Sequence, residues 1–297
     1  MATLKDIKTK ISAVKKTQQI TKAMNMVATS RMRGAQTAME GFRPYAAKFA
    51  EVLGSLAEKA GEETNPLLEV REEVEKVHIV LCTSDRGLCG GFNANLISKA
   101  KALKKEKEEQ GIDVVFTVFG KKGRDWCRKN QFEIVSEHIG VVGGRFGFHV
   151  AATSGQKLIQ GFLDNTYDEV YIVYSEFMSM ARQVPVLKQL LPILPIMPAE
   201  HEAETEETTY LAEHICEPSP QELLGELLPK NVYVQLYSAL LETSTSEHAA
   251  RMAAMDNATK ACKDMIENLT LVYNKARQAA ITAELMDIVG GAEALKG

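Results

Sequence analysis

Between Pro229 and Gly290 the chain runs without a single proline or glycine. Read at alternating three- and four-residue steps, one line through this stretch gives Met252, Met255, Thr259, Cys262, Ile266, Leu269, Tyr273, Ala276 and Ala280. Only Thr259 is neither apolar nor an accommodating seam residue. That is a heptad seam, and it predicts one long helix from Asn231 to Val289 wound against another helix. At ~1.5 Å per residue such a helix would reach roughly 85 Å, more than the core of one domain can cover. Its last turns differ again, because Ile281, Leu285, Met286, Ile288 and Val289 do not keep to one face. A helix apolar all round is a buried helix, so these turns predict a sleeve supplied by other subunits.

The partner helix lies at the other end of the chain. Thr3 is a suitable N-cap, and Leu4, Ile7, Ile11 and Val14 follow at helical spacing. The stripe is expected to shift through Ile20, Met24 and Val27 toward Met32, Ala35 and Met39, in a helix from Leu4 to Lys59 bent near Gly41. Over residues 1–33, Lys5, Lys8, Lys10, Lys15, Lys16, Lys22, Arg31 and Arg33 face one acid, Asp6. A basic amphipathic helix fits nucleic acid, a membrane surface or an acidic protein, and equally a solvated outer face.

Between the two helices the pattern changes from helical to alternating. Gly61 to Lys76 reads as a charged linker. Strands are predicted at Val77–Thr83, Val114–Phe119, Phe132–Ile139 and Glu169–Tyr174, with Val184–Leu190 returning antiparallel. Helices are predicted at 91–109, 121–129 and 150–163. Alternating strands and helices imply a Rossmann-like α/β domain with a mainly parallel sheet. Residues 199–209 form a solvated acidic loop. Pro218 and Pro220 are expected to precede a short helix, and Pro229 to open the long one. The resulting fold class is α/β. A long antiparallel coiled coil of the N-terminal (1–60) and C-terminal (230–289) helices carries an inserted α/β domain at 77–198, and the C-terminal helical region spans 210–297.

Composition narrows the function classes. A net charge of −4 gives no global reason to expect nucleic acid. The apolar run around Leu190–Met197 is too short to span a bilayer and is broken by Pro192 and Pro195. No signal or transit peptide is expected at the N-terminus. The five cysteines form no CxxC pair, and their odd number reads as reduced thiols.

Candidate chemistry sits at Ser84-Asp-Arg-Gly-Leu-Cys-Gly-Gly91. A glycine-rich loop between strand and helix can cradle phosphate on helix N-terminal amides, yet this one matches neither common nucleotide-binding pattern. Cys89 beside Arg86 invites a lowered thiol pKa; the plainer reading is a tight turn with positive φ at Gly87, Gly90 and Gly91. Gly140–Gly147 is a second glycine-rich loop of equally open meaning. The six histidines show no metal-ligand spacing. No catalytic, cofactor or metal site is assigned, and the isolated chain is expected to lack nucleotide-hydrolysing activity. An NTP-dependent enzyme using the glycine-rich loop and a nucleic-acid adaptor using the basic helix are the alternatives.

Ile20-Thr-Lys-Ala-Met-Asn-Met-Val-Ala-Thr-Ser-Arg-Met32 resembles the N-terminal signature of the gamma subunit of F-type ATP synthases. The Ser84–Gly91 loop resembles its central-domain loop, and Gln183-Val-Pro with Gln189-Leu-Leu-Pro192 its later strand region. Ala249–Met255 and Leu271-Val-Tyr-Asn-Lys-Ala-Arg-Gln-Ala-Ala-Ile-Thr-Ala-Glu-Leu285 resemble its C-terminal helix. The resemblance runs end to end, in order.

It implies a non-catalytic rotor shaft, peripheral on the cytoplasmic face of the bacterial inner membrane. Its partners would be the alpha and beta subunits, epsilon and the membrane c ring, with no nucleic acid and no cofactor. By motif position it implies coupling contacts to the beta subunits at Met24, Arg251, Arg277, Gln278, Thr282 and Glu284, and a loop role for Arg86, Gly87, Cys89, Gly90 and Gly91. Unlike plastid relatives, the chain has no cysteine pair between Leu190 and Tyr210, so thiol switching there is not expected.

Overall fold

The structure is a computed structural model that describes residues 3–60, 65–71, 73–194 and 219–294. Its elements are α1 (Leu4–Ala60), β1 (Lys76–Cys82), α2 (Phe92–Glu109), β2 (Asp113–Phe119), α3 (Lys121–Lys129), β3 (Ile134–His138), α4 (Phe148–Leu163), β4 (Glu169–Phe177), β5 (Gln183–Leu191) and α5 (Pro220–Ala294). The acidic loop at 199–209 and the stretch around Pro218 lie outside the described residues. The chain divides into two compact units, Met1–Thr29 with Arg251–Gly297, and Ser30–Ala250.

In the first unit two helical segments run antiparallel, as the pairing of Thr21 with Thr259 and of Asn25 with Met252 requires. Thr3 caps α1 as its sequence predicts. Its hydroxyl accepts from the Asp6 N–H, and its own N–H donates to the Asp6 carboxylate, a reciprocal capping box with Asp in the third position. Every α5 residue on the predicted heptad line, from Met252 to Ala280, is buried or half-buried.

The α1 side of the seam departs from expectation. Ile20 and Val27 face solvent at 60% and 55% exposure. Met24, Met32, Ala35 and Met39 are buried or half-buried as expected, but Gln18, Thr21, Asn25 and Ala28 take the places given to Ile20 and Val27. The 3.6-residue period set by Ile7, Ile11 and Val14 carries the stripe to these positions, and polar Thr21 and Asn25 enter because each finds a hydrogen-bond partner on α5.

The second unit holds a five-stranded sheet of order β3-β2-β1-β4-β5. Its first four strands are parallel, and β5 returns antiparallel to β4. β1 is central and apolar on both faces, as a strand covered on both sides must be. Val77, Ile79 and Leu81 pack with Phe92, Leu96, Leu103 and Phe116 on one face. Val80 and Cys82 pack on the other with Leu158, Phe162, Leu228, Val232 and Leu236. Arg71 grips Asp168 at 2.5 Å, and Asp168 also accepts from the Glu75 and Lys76 N–H groups at 2.8 and 2.9 Å. These bonds bind the approach to β1 to the approach to β4.

α1 runs through Gly41 and Pro44 as one helix, within a residue of the expected bounds. One proline expectation is corrected. α5 is one helix from Pro220, with no separate short helix and with Pro229 in its interior. Ser219 caps it by accepting from the Glu222 N–H at 3.2 Å, and Pro220 occupies the first helical position, where its missing N–H costs nothing. Pro229 does forfeit a helical bond. Leu228 and Val232 around it are fully buried, and burying two such side chains stabilises by about 1.5–3 kcal/mol each, enough to offset the loss.

Candidate functional site

The glycine-rich loop lies at the carboxyl end of β1, beside β4, where the sheet's connections turn in opposite directions. In open α/β sheets that position is the usual ligand crevice. The side chains here bond to the protein itself. Ser84 donates its hydroxyl to the Arg86 carbonyl at 2.6 Å, while Asn93 accepts from the Ser84 N–H at 3.0 Å and donates to the Cys89 sulfur at 3.1 Å. Cys89 is buried, closed to a substrate. Gly90 takes positive φ (58°) as expected, but the second left-handed residue is Leu88 (66°), and Gly91 is right-handed at −80°.

Asp85 was not singled out in the sequence, yet it organises this edge. One carboxylate oxygen accepts from the Lys121 N–H at 2.9 Å, at the start of α3, and the other from the Gly140 N–H at 2.8 Å. A helix N-terminus attracts anions, and here the chain's own carboxylate fills that place.

The crevice beside β4 is filled by α5. The Ser175 N–H donates to the Thr243 hydroxyl and the Phe177 N–H to the Glu242 carboxylate, at 3.3 and 3.4 Å. The Ser246 hydroxyl donates to the Ser175 carbonyl at 3.3 Å. The Gly143 N–H donates to the Ser244 hydroxyl at 3.2 Å, and Gly143 itself (φ 77°) lies against the Glu247 carboxylate. Half-buried Glu242 and buried Thr243 and Ser244 thus satisfy strand-end and loop amides, within a run whose remaining members, Thr245 to His248, are buried as well. Four successive Ser and Thr residues inside a helical pattern were the sequence signal for it.

The predicted coupling residues form two groups. Met24 and Arg251 are half-buried. The bond from the Asn25 amide to the Met252 carbonyl, 2.9 Å, sets their immediate neighbours at one level of the helix pair. Arg277, Gln278, Thr282 and Glu284 are all exposed. They begin 26 residues beyond Arg251, about 40 Å along a helix, so the two groups are not brought together. Thr282 is not wholly uncapped, since its hydroxyl donates to the Gln278 carbonyl at 2.9 Å. Every basic side chain of the N-terminal run, from Lys5 to Arg33, is exposed. Past Ala280 the described side chains of α5 are all exposed, the apolar Ile281, Leu285, Met286, Ile288 and Val289 among them. Among the described residues no cluster of three or more potential metal ligands occurs.

A family model described as ATP synthase matches residues 3–295. The ATP synthase gamma chain of Desulfosudis oleivorans is 69% identical over 298 residues, with all of both chains covered. That of Nitratidesulfovibrio vulgaris (strain Miyazaki F) is 56% identical over 297 residues, again with both fully covered. The central stalk and c ring structure of the Tetrahymena thermophila mitochondrial ATP synthase contains a chain 25% identical, with a TM-score of 0.56, matching 80% of this chain and 99% of that one. A chain from the Euglena gracilis mitochondrial OSCP, F1 and c-ring structure shares the fold with a TM-score of 0.68 at 18% identity, over 98% of this chain and 94% of that one. The two-helix ends, the inserted parallel sheet and this full-length similarity agree, and the chain belongs to the ATP synthase gamma chain family.

Proposed function

We propose that this chain is the rotor shaft of an F-type ATP synthase, coupling ion-driven rotation of a membrane c ring to ATP synthesis and hydrolysis on beta subunits. The observation that carries this reading is the end of α5, where Ile281, Leu285, Met286, Ile288 and Val289 are 49–68% exposed along one broad flank of the helix. A contiguous exposed apolar surface marks a protein contact, and the inside of a ring of alternating alpha and beta subunits would cover it. The exposed basic face of residues 5–33 fits acidic surface on the same ring.

In this reading 1–60 and 230–289 act as one coiled coil, and the 77–198 domain forms a foot with epsilon on the c ring. No described helix is long and apolar enough to cross a membrane, which fits peripheral attachment at the cytoplasmic face of a bacterial inner membrane. The mechanism is conformational. An asymmetric shaft touches each beta subunit differently, and a contact that differs between open and closed states shifts the balance between them. Met24, Arg251, Arg277, Gln278, Thr282 and Glu284 are the residues assigned to those contacts. Bond making stays on the beta subunits. The self-bonded loop at Ser84–Asn93 and the α5-filled crevice support a shaft that is not itself an enzyme.

The test places charge on the sleeve-facing turns with Leu285→Lys and Ile288→Lys together. The isolated chain should keep its helix content, because both residues are exposed. Complexes assembled with alpha and beta subunits should lose about tenfold or more of their coupled ATP synthesis, since each buried, unpaired lysine costs several kcal/mol. Normal assembly and normal coupling would refute the sleeve.

A further inference from the structure

β3 is an edge strand, paired on one side only, to β2. Residues two apart on a strand share a face. Ser136 and His138 therefore look the same way, toward Ser154 of α4, and Glu137 looks the other way, where Arg128 of α3 binds it at 2.7 Å. Between β3 and α4 lies a small cleft of about 70 Å³, lined by Ser136, His138, Ser154 and Lys157. Buried Thr117 and His78, which bond to each other at 2.8 Å, also line it. Among the described residues no carboxylate does.

The hydroxyls in this cleft outnumber their acceptors. The His138 Nε2 lies 3.1 Å from the Ser136 hydroxyl and 3.3 Å from the Ser154 hydroxyl. Burial and the Lys157 charge lower the His138 pKa, so at neutral pH the ring is uncharged. A neutral imidazole offers one lone pair or one proton at Nε2, never both. At most one serine can donate to it, and the other keeps its proton for a different acceptor. Neither hydroxyl has another partner among the described residues. Lys157, exposed beside them, makes no ion pair among the described residues. A surplus hydroxyl proton next to an unpaired ammonium, with no acid in reach, complements an anion. The volume is far below the roughly 300 Å³ at which pockets for organic ligands begin, so the anion is a small one.

We propose that this cleft binds one small tetrahedral oxyanion, phosphate or sulfate, held by the Ser136 and Ser154 hydroxyls and by the Lys157 ammonium. His138 positions the two hydroxyls rather than supplying charge. An ion there would tie the edge strand β3 to α4, which no strand on its outer side does.

The test follows the histidine ring signals of the full chain by NMR, with the His138 signal assigned from His138→Gln. Phosphate and sulfate are titrated separately at constant ionic strength, balanced by chloride, because exposed charges respond to salt alone. A saturable shift of the His138 signal is expected, with Kd of about 1 mM or tighter, while exposed His149 does not move. Saturation by either ion supports the site, and the tighter of the two identifies its source. Lys157→Gln, at an exposed position, should weaken binding about tenfold or more, and Ser136→Ala several-fold. Lys121→Gln, an exposed change on α3, should leave it unaltered. No saturation by either ion up to about 50 mM, or binding that survives Lys157→Gln or Ser136→Ala at full strength, would overturn the assignment and leave water in the cleft.

Discussion

The hydroxyls of Thr21 and Thr259 lie 2.8 Å apart in the helix pair of the first unit, although 238 residues separate them in sequence. Thr259 is also within 2.7 Å of the Met255 carbonyl, and Thr21 within 3.0 Å of the Gln18 carbonyl. Each hydroxyl has one proton. One threonine therefore donates across the seam and the other donates back to its own helix. A polar pair at a single level of an apolar seam favours one register over its neighbours.

Removing that pair should separate stability from register. Thr259→Val leaves Thr21 able to donate to Gln18, so the expected cost is about 0.5–1.5 kcal/mol. Thr21→Val should cost a similar amount. The double valine variant should cost less than the two single changes added together, with a coupling of about 0.5–1.5 kcal/mol, because no hydroxyl is left without its partner. Urea unfolding of the four chains, followed by helix circular dichroism, measures the cycle. Strict additivity would mean that the hydroxyls do not interact.

Gly120 should tolerate no side chain. It adopts φ 96°, and a Cβ there would strike the Thr83 carbonyl, at the point where β1 and β2 end side by side. Neither backbone can yield without breaking the Thr83 N–H bond to the Phe119 carbonyl, 2.7 Å, or the Gly120 N–H bond to His138, 2.9 Å. Gly120→Ala is expected to destabilise by more than about 3 kcal/mol. Gly111 has a similar φ of 79° with open space around it, so Gly111→Ala should cost only about 1–2 kcal/mol, the left-handed penalty alone. Equal melting temperatures for the two variants would contradict the packing described at Gly120.

Acid should weaken the sheet domain through His78. Burial, with Lys76 acting in the same direction, pushes its pKa down to about 3, and its Nε2 meets the Thr117 hydroxyl at 2.8 Å. The unfolded chain protonates this imidazole near pH 6.5. Above that pH both states are neutral and the group has no effect. Between about 6.5 and 3 the unfolded state binds the proton and the folded state does not, so stability falls as pH falls, by up to about 1.4 kcal/mol per pH unit. His138, lowered by burial and by Lys157, adds a smaller dependence of the same sign. His78→Gln keeps a partner for Thr117 but cannot titrate. Urea unfolding followed by Trp126, the single tryptophan of the chain, should show a clearly shallower loss between pH 6.5 and 4.5 in this variant. An unchanged slope would place the titration elsewhere.

Why some of this was legible and some was not follows from what each stretch has to satisfy. The line from Met252 to Ala280 could be read directly because the α5 side of the seam obeys a repeat whose only chemistry is burial. The α1 side could not. Thr21 and Asn25 replace apolar residues through cross-helix hydrogen bonds, and an apolar-only reading therefore chose Ile20 and Val27, which face solvent. The strands were clear because β1, β2 and β4 are short apolar runs between glycine- and charge-rich turns. Pro229 misled because a local penalty was outweighed by burial of Leu228 and Val232 across the fold. Asp85 and the Glu242–His248 run were missed for a related reason. Their partners are amides far away in sequence; the Thr243–Ser246 run marks α5 as polar there, but nothing local says which distant N–H it meets.

Gln278 and Thr282 provide the sharpest separation of coupling from folding. Both are exposed on α5, on the side away from the Tyr273, Ala276 and Ala280 seam line, and the Thr282 hydroxyl donates to the Gln278 carbonyl. That bond uses the hydroxyl's proton but leaves its lone pairs free to accept, and the Gln278 amide both donates and accepts. Alanine has the higher helix propensity at both sites, so Gln278→Ala with Thr282→Ala should leave the melting temperature of the isolated chain unchanged or slightly raised. Hydrogen bonds to charged partners are worth about 1.5–3 kcal/mol each. If they form in one rotary state and not in the next, losing one should slow a step by roughly 10- to 200-fold at most. Complexes assembled around the double variant should therefore form in normal yield while both ATP hydrolysis and ion-driven synthesis fall clearly. Full rates in a fully assembled complex would return these two residues to plain helix surface, without touching the seam that holds the helices together.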